Sequence, residues 1–296
     1  MTGPLGDAPA LEAVSADGVR LALFAVLPAV AASPHGISSG SPDGAARLPA
    51  LLLVHGATAD HTTWRTVGPA FAGRRRVLAI DRRGRGASGD AGTYAIEREY
   101  DDVAAAAEAL AAATGSPIDV VGHSYGGRVA LGASLRTPNI RRIVVYEGAP
   151  VPAGMSYRPP GMVEAVREAL DRGDNEAALA TFLAGIVGMS EAGLDAYRAD
   201  PVWPTRVAAA PTILREIEAE ASAAASLDAL GGVTAPVLLL LGSLSRSPFR
   251  IGTDELAARL ANVRVVTIAG AAHAAHHTHA AEFVRTVETF LDEAVR

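Results

Sequence analysis

Apolar residues recur along this chain as short continuous runs that alternate with longer segments of helical periodicity. The runs predict strands at Val19–Leu27, Ala50–Val54, Val77–Ile80, Ile118–Val121, Arg142–Tyr146, Val237–Leu241 and Val263–Ile268. The periodic segments predict helices at Glu97–Ala113, Gly127–Arg136 and Ala280–Val295. Continuous apolar runs are typical of strands that helices cover on both faces. The pattern therefore predicts an α/β fold with a mostly parallel, doubly wound sheet.

One stretch departs from this alternation, because only helical patterns occur between Pro152 and about Thr234. They predict helices at Gly161–Arg172, Asn175–Val187, Glu191–Arg198 and Pro211–Ala225. We therefore expect a core domain of residues 1–150 and 235–296, with residues 151–234 inserted as a helical cap over one end of the sheet. An earlier segment, Pro28–Pro49, contains S-P, S-G and D-G turn pairs and predicts a long surface loop.

The amino-acid composition excludes several classes of catalytic and binding site. Arginine supplies all 26 basic residues against 32 acidic ones, and cysteine is absent. The lack of lysine excludes a Walker-type phosphate loop and a Schiff base, and the lack of cysteine excludes disulfides and a thiol nucleophile. A net charge of −6 argues against a nucleic-acid partner. The sequence has neither a secretory leader pattern nor a stretch of about 20 apolar residues, so we expect a soluble, cytoplasmic protein with no membrane partner.

A candidate nucleophile lies in Gly122-His123-Ser124-Tyr125-Gly126, which matches G-x-S-x-G. The bare pattern carries little weight, and a glycine-rich turn with an incidental serine is the alternative. However, the motif directly follows a predicted strand and directly precedes a predicted helix, which is the context of a nucleophile elbow. Glycines leave room for a strained serine, and the amides at the helix start can face a developing oxyanion.

With these features the chain resembles the α/β-hydrolase superfamily over nearly its whole length. Three further segments carry the resemblance: Leu52-Leu53-Val54-His55-Gly56-Ala57 as the strand and HG turn, Asp81-Arg82-Arg83-Gly84-Arg85-Gly86-Ala87-Ser88-Gly89 as the D-x-x-G-x-G-x-S loop, and Ala269-Gly270-Ala271-Ala272-His273 as the loop of the catalytic histidine. The resemblance implies an oxyanion hole made by the N–H groups of Tyr125 and Ala57, with Thr58 as a near alternative. It also implies a structural role for His55 and a solvated, salt-bridged turn at Asp81–Gly89.

The resemblance assigns the general base to His273, with His277 as the second choice. His276 and His279 complete a group of four histidines, which could also indicate a metal site. Since no cysteine and no carboxylate other than Glu282 lies nearby, we predict no metal. We also predict no cofactor. The turn after the first buried strand lacks G-x-G-x-x-G, which argues against an NAD-type binding protein on a similar sheet. His123, inside the elbow, is expected to form a pocket wall.

The triad acid has two candidates. In most of the family it follows the strand equivalent to Val237–Leu241, but here the turn Gly242–Pro248 contains no carboxylate. Glu147 follows the strand Arg142–Tyr146, at the strand end where catalytic side chains of open α/β sheets gather. Some members of the superfamily place their acid there. We therefore predict the triad Ser124–His273–Glu147, with Asp254 as the alternative acid.

These residues predict a serine hydrolase for a carboxylic ester or lactone of a small to medium-sized, largely apolar molecule. Candidate pocket residues from the helical segment and its surroundings are Trp64, Tyr157, Met162, Phe182, Met189 and Trp203. A thioesterase, a C–C bond hydrolase or a perhydrolase would use the same triad. A non-catalytic small-molecule-binding protein on the same scaffold is the alternative from another class.

Overall fold

A computed structural model describes residues 4–29 and 48–293. In this part of the chain, eight strands form one sheet: β1 Leu5–Val14, β2 Arg20–Val26, β3 Leu51–Val54, β4 Val77–Ile80, β5 Ile118–His123, β6 Ile140–Tyr146, β7 Val237–Gly242 and β8 Val263–Ile268. Their order is β1-β2-β4-β3-β5-β6-β7-β8. The first two strands pair antiparallel to their neighbours, and β3 to β8 pair parallel. The predicted mostly parallel α/β sheet is therefore confirmed.

Helices cover both faces of the sheet. They are α1 Gly68–Ala72, α2 Ile96–Thr114, α3 Tyr125–Ser134, α10 Ser247–Ala257, α11 Ala275–Thr278 and α12 Ala280–Leu291. The central strand β3 shows why its sequence is apolar throughout: Leu52 and Val54 enter the core beneath α2 and α3, whereas Leu51 and Leu53 enter the core beneath α1 and α12. Burial on both faces removes the reason for alternation of apolar and polar residues.

Between β6 and β7 the chain forms only helices. These are α4 Met162–Asp171, α5 Asn175–Phe182, a π-helical turn Leu183–Val187, α6 Glu191–Arg198, α7 Trp203–Ala208, α8 Ile213–Ala219 and α9 Leu227–Leu230, with short 3-10 turns at Ala210–Thr212 and Ala223–Ala225. Most of them pack on a core of their own, which includes Val166, Leu179 and Trp203. We call residues 151–234 the helical insertion.

The structure contains elements that the sequence patterns did not predict, and one predicted segment is not tested. Strand β1 was not predicted, because it lies at the sheet edge and its sequence, LGDAPALEAV, shows neither a continuous apolar run nor clean alternation. Helix α10 begins at Ser247 and contains the alternative acid, Asp254. The predicted loop Pro28–Pro49 falls almost entirely outside the described residues. Within the described ranges, no helix combines the length and apolarity that crossing a membrane requires.

Candidate active site

The candidate nucleophile lies in a sharp turn between β5 and α3. Ser124 has φ 53° and ψ −125°, a strained conformation for a residue with a side chain. The flanking glycines are sterically required. A Cβ at Gly122 would lie 2.5 Å from the carbonyl oxygen of Gly126, and one at Gly126 would lie 2.3 Å from that of His55. The G-x-S-x-G pattern is therefore what permits the backbone of this turn to form at all.

The turn after β3 lies beside this serine. A Cβ on Gly56 would approach the Cβ of Ser124 to 3.1 Å, so the two turns are in close contact. Tyr125 is the first residue of α3, and its amide is one of the N–H groups that a helix leaves without an intrahelical partner. Ala57 lines the same cavity as Ser124, and the next residue, Thr58, has a positive φ of 56°. This geometry is compatible with the predicted pair of oxyanion donors, Tyr125 and Ala57.

The third strained position is Glu147, with φ 51°, directly after β6. Its Oε2 lies 2.7 Å from Nδ1 of His273, and both side chains are buried. Its Oε1 accepts hydrogen bonds from the backbone N–H of Gly242, at 2.9 Å, and from the hydroxyl of Ser245. Since Oε2 accepts a hydrogen bond from Nδ1, the imidazole carries its proton on Nδ1, and Nε2 is left to accept one. Of the two acid candidates, Glu147 is the one that contacts His273, whereas Asp254 is exposed on α10.

Sequence reasoning missed the role of the turn after β7. That turn lacks the acid expected there, but it supplies Gly242 and Ser245 as donors to the acid of the neighbouring strand. The ring of Phe249 also stacks on His273, with ring centroids 4.6 Å apart. The available signal was the serine-rich turn at the position where most of the family has its acid. Serine hydroxyls there can donate hydrogen bonds to an acid on the neighbouring strand.

The other histidines divide into anchors and cavity residues. His55 is fully buried and accepts a hydrogen bond from the backbone N–H of Arg82 at 3.1 Å, in agreement with its expected structural role. The ring Nε2 of His123 lies 2.8 Å from the carbonyl oxygen of His273, so it holds that loop in place. His277 contacts the hydroxyls of Thr63 and Thr66 at 3.4 Å each, rather than a carboxylate.

Burial keeps several of these rings neutral. Desolvation lowers the pKa of His55, His123 and His276 well below the usual value, and it lowers the pKa of His277 to about 4. Neutral imidazoles can ligate metals, but no group of three or more histidine or acidic side chains in residues 4–29 and 48–293 is arranged to hold an ion.

Ser124 and His273 both line a cavity of about 490 Å³ between the carboxyl ends of the strands and the helical insertion. Of the predicted pocket residues, Phe182 and Met189 line it. The prediction is wrong for Trp64, which is fully buried in the core beneath α12, and for Trp203, which packs in the core of the insertion. Tryptophan at either position serves packing, a role that sequence could not separate from ligand contact.

The remaining two predicted pocket residues also lie away from the main cavity. Tyr157 packs on Phe249 and donates its hydroxyl to the carbonyl oxygen of Ala149. It lines a small adjoining cavity that also reaches Ser124 and Glu147. Met162 belongs to the core of the insertion.

The loop Asp81–Gly89 forms ion pairs as expected, but the prediction that it is solvated is wrong for its arginines; only its second half, from Gly86, is largely exposed. Arg82 and Arg83 are completely buried. Arg82 forms a bidentate pair with Glu99 and a further pair with Glu216 of α8, which joins the core domain to the helical insertion. Its guanidinium also lies 4.7 Å from the ring centroid of Tyr125, directly after the candidate nucleophile.

Comparisons with known proteins agree with this fold. A family model described as alpha/beta hydrolase family matches residues 51–286. The crystal structure of an alpha/beta hydrolase from Sphaerobacter thermophilus is 26% identical, covers 87% of this chain and 91% of its own, and superimposes with a TM-score of 0.69.

Two curated relatives are also similar. Pimeloyl-[acyl-carrier protein] methyl ester esterase of Neisseria meningitidis is 28% identical over 83% of this chain and 94% of its own length. The 2-hydroxy-6-oxo-2,4-heptadienoate hydrolase of Pseudomonas putida is 31% identical, but the match spans only 45% of either protein. The names of both relatives describe hydrolytic enzymes, in agreement with the expected resemblance.

Proposed function

The chain belongs to the alpha/beta hydrolase family, and we propose that it is a serine hydrolase that cleaves a carboxylic ester or lactone of a small to medium-sized, largely apolar molecule. Ser124 is the nucleophile, His273 the general base, and Glu147 the acid that orients and stabilises the imidazole. The observation that carries the proposal is the strained backbone of Ser124 on a cavity shared with a histidine whose Nδ1 is bound by a buried carboxylate.

The reaction follows from these positions. Nε2 of His273 takes the proton of Ser124 as Oγ forms a bond to the carbonyl carbon, and the amides of Tyr125 and Ala57 bind the resulting oxyanion. The imidazolium then gives its proton to the leaving alkoxide, and the ester C–O bond breaks. A water molecule, deprotonated by His273, attacks the acyl-enzyme. Collapse of the second intermediate releases the carboxylic acid and returns the proton to Ser124.

The cavity supports a substrate of moderate size. A volume of about 490 Å³ falls in the range typical of small-molecule sites. The helical insertion contributes apolar side chains to the cavity wall, which supports a small molecule rather than a polymer as the substrate. We propose that residues 151–234 act as the cap of this site. The esterase named among the relatives supports an ester as the scissile group.

Labelling with a fluorophosphonate tests the proposal, because this reagent reacts with an activated serine and not with an inert one. We expect the wild-type protein to gain one label on the peptide that contains Ser124, and Ser124→Ala to gain none. Turnover of 4-nitrophenyl esters should disappear in the same variant while its far-ultraviolet circular dichroism stays unchanged. Failure of the wild-type protein to label would instead favour a small-molecule-binding protein on the hydrolase scaffold.

A further inference from the structure

The wall of the main cavity contains two kinds of side chain. One segment of the helical insertion, from the end of α5 through the π-helical turn, provides an apolar surface: Phe182, Leu183, Ile186, Val187 and Met189. Other parts of the wall are polar and include two arginines, Arg65 and Arg206. A purely apolar substrate has no use for the two cations, which are costly to desolvate unless each is paired.

The two arginines differ in their partners. Arg65 forms an ion pair with Asp200 at 2.8 Å, and Asp200 lines the same cavity, so these two charges cancel. Arg206 of α7 uses Nη1 for hydrogen bonds to the carbonyl oxygen of Ala57, at 3.3 Å, and to the hydroxyl of Thr58, at 3.2 Å. Both partners are neutral, and so is Tyr197, whose ring centroid lies 5.6 Å from the guanidinium carbon of Arg206. Throughout residues 4–29 and 48–293, no carboxylate lies within 4.0 Å of Arg206, whereas Arg65 has one.

The cavity therefore carries an excess of one positive charge. His123, His276 and His277 add none at neutral pH, since burial lowers the pKa of each of them below its usual value. The contact with Ala57 places this cation directly beside the predicted oxyanion turn, in the wall of the cavity that Ser124 also lines.

A second, independent group in the same wall also lacks a partner. His276 is 1% exposed and lines the cavity, and both of its ring nitrogens are without a hydrogen-bond partner among the described residues. Buried polar groups in proteins are rarely left unsatisfied, so such a group in a cavity wall indicates a ligand that supplies the missing bond. As a neutral imidazole, His276 can donate one N–H to an acceptor.

We propose that the substrate is a monoanion: a carboxylic ester or lactone that also bears a free carboxylate, which Arg206 binds while the apolar segment 182–189 holds the hydrocarbon part. The proposal rests on the function proposed above and specifies its substrate class. A carboxylate fits better than a phosphate dianion because a single unpaired cation balances a single negative charge. A neutral ester of the same size would leave Arg206 desolvated and unpaired, so it should bind more weakly.

Two matched pairs of esters test the proposal. Mono-4-nitrophenyl glutarate and 4-nitrophenyl pentanoate differ in charge on the acyl side, and 4-acetoxybenzoate and its methyl ester differ in charge on the leaving group. For each pair, the ratio of kcat/KM for the anionic ester to that for the neutral ester is measured. The ratio in wild-type protein divided by the ratio in Arg206→Gln cancels the intrinsic reactivity of the esters. We expect this quotient to be about 10 to 100 for at least one pair, as for the loss of a hydrogen bond to a charged group.

Two further variants sharpen the result. Arg167→Gln removes the same charge from an exposed position of α4, outside the cavity, and should leave both ratios unchanged. Arg206→Lys keeps the charge and should retain part of the preference. Equal losses for both esters in Arg206→Gln, or the same quotient in Arg167→Gln, would overturn the proposal and assign Arg206 to positioning of the turn at Ala57.

Binding to Ser124→Ala separates this inference from the proposed function. Calorimetry with monomethyl glutarate and methyl pentanoate needs no turnover. We expect the anionic ester to bind at least about tenfold more tightly, with the difference reduced by Arg206→Gln. Equal affinities would refute the substrate class. Absence of fluorophosphonate labelling, together with preferential binding of the anion, would refute the hydrolase and not the anion site.

Discussion

Replacement of Glu147 by Gln is expected to lower kcat/KM by three to four orders of magnitude. The structure dictates which way the amide must face. The backbone N–H of Gly242 can only donate, so the position of Oε1 requires an oxygen. The amide nitrogen must then replace Oε2 and point at Nδ1 of His273, 2.7 Å away. As a donor it forces the proton of the imidazole onto Nε2, where it blocks acceptance of the serine proton.

The magnitude has two sources. Loss of the carboxylate charge, whose centre lies about 4 Å from that of the imidazolium, removes about 4 kcal/mol at an effective dielectric constant of about 20. That alone corresponds to roughly a thousandfold loss in rate. The wrong tautomer adds to it, and the analogous change in serine proteases costs about 10⁴ in kcat. The variant should fold normally, because Gln occupies the same volume as Glu and keeps the acceptor for Gly242.

The assay is hydrolysis of a 4-nitrophenyl ester by wild-type protein, Glu147→Gln and Asp254→Asn, with the rate of fluorophosphonate labelling as a second readout. The change at Asp254, exposed on α10, serves as the control and should alter kcat/KM less than about twofold. Circular dichroism and the midpoint of thermal unfolding verify the fold of each variant. If Glu147→Gln retained activity within tenfold of wild type while Asp254→Asn lost it, the acid would be Asp254 and our reasoning from the geometry would fail.

Three further outcomes follow from other parts of the structure. His276→Phe should reduce the loss of stability below pH 6.5. Burial holds the pKa of His276 well below 6.5, so below that pH the unfolded chain takes up a proton that the folded protein does not. In wild-type protein this lowers the free energy of unfolding by up to about 1.4 kcal/mol per pH unit. Glu216→Ala should cost about 3–5 kcal/mol, because buried Arg85 pairs with Glu216 at 2.6 Å. Ser245→Ala removes a donor to the triad acid and should lower kcat/KM about tenfold.

Each of these outcomes has its own check. For His276→Phe, urea unfolding at pH 7 and pH 5 measures the free energy of unfolding at each pH. The same decrease between pH 7 and pH 5 in wild type and His276→Phe would contradict the prediction. Glu218→Ala, on the same helix but exposed, should change stability by less than about 0.5 kcal/mol. A loss for Glu218→Ala as large as that for Glu216→Ala would show that the buried ion pairs are not the cause. For Ser245→Ala, an effect on KM alone would contradict a role in positioning the acid.

The amino-acid sequence by itself determined the features that depend on neighbours along the chain. Continuous apolar runs located seven of the eight strands in the described residues, and periodicity located the helical insertion. The elbow at Ser124 was predictable for the same reason, since the steric demand for glycine at 122 comes from Gly126 in the same turn. The demand at 126 is different, because it comes from the carbonyl oxygen of His55 after β3. Strand β1 was not predicted because an edge strand is less buried and needs no continuous apolar pattern.

Only the tertiary structure decided the features that depend on residues distant in the chain. Glu147 and His273 are 126 positions apart, and no local pattern tells which carboxylate contacts the imidazole. They meet because β6 and β8 run parallel, so the residues that follow them lie at the same end of the sheet. For the same reason, sequence could not distinguish Trp64 in a core from Phe182 in a cavity wall, or a solvated Arg82 from a buried one. Burial and charge pairing are properties of the packed fold, because they depend on which elements cover a side chain.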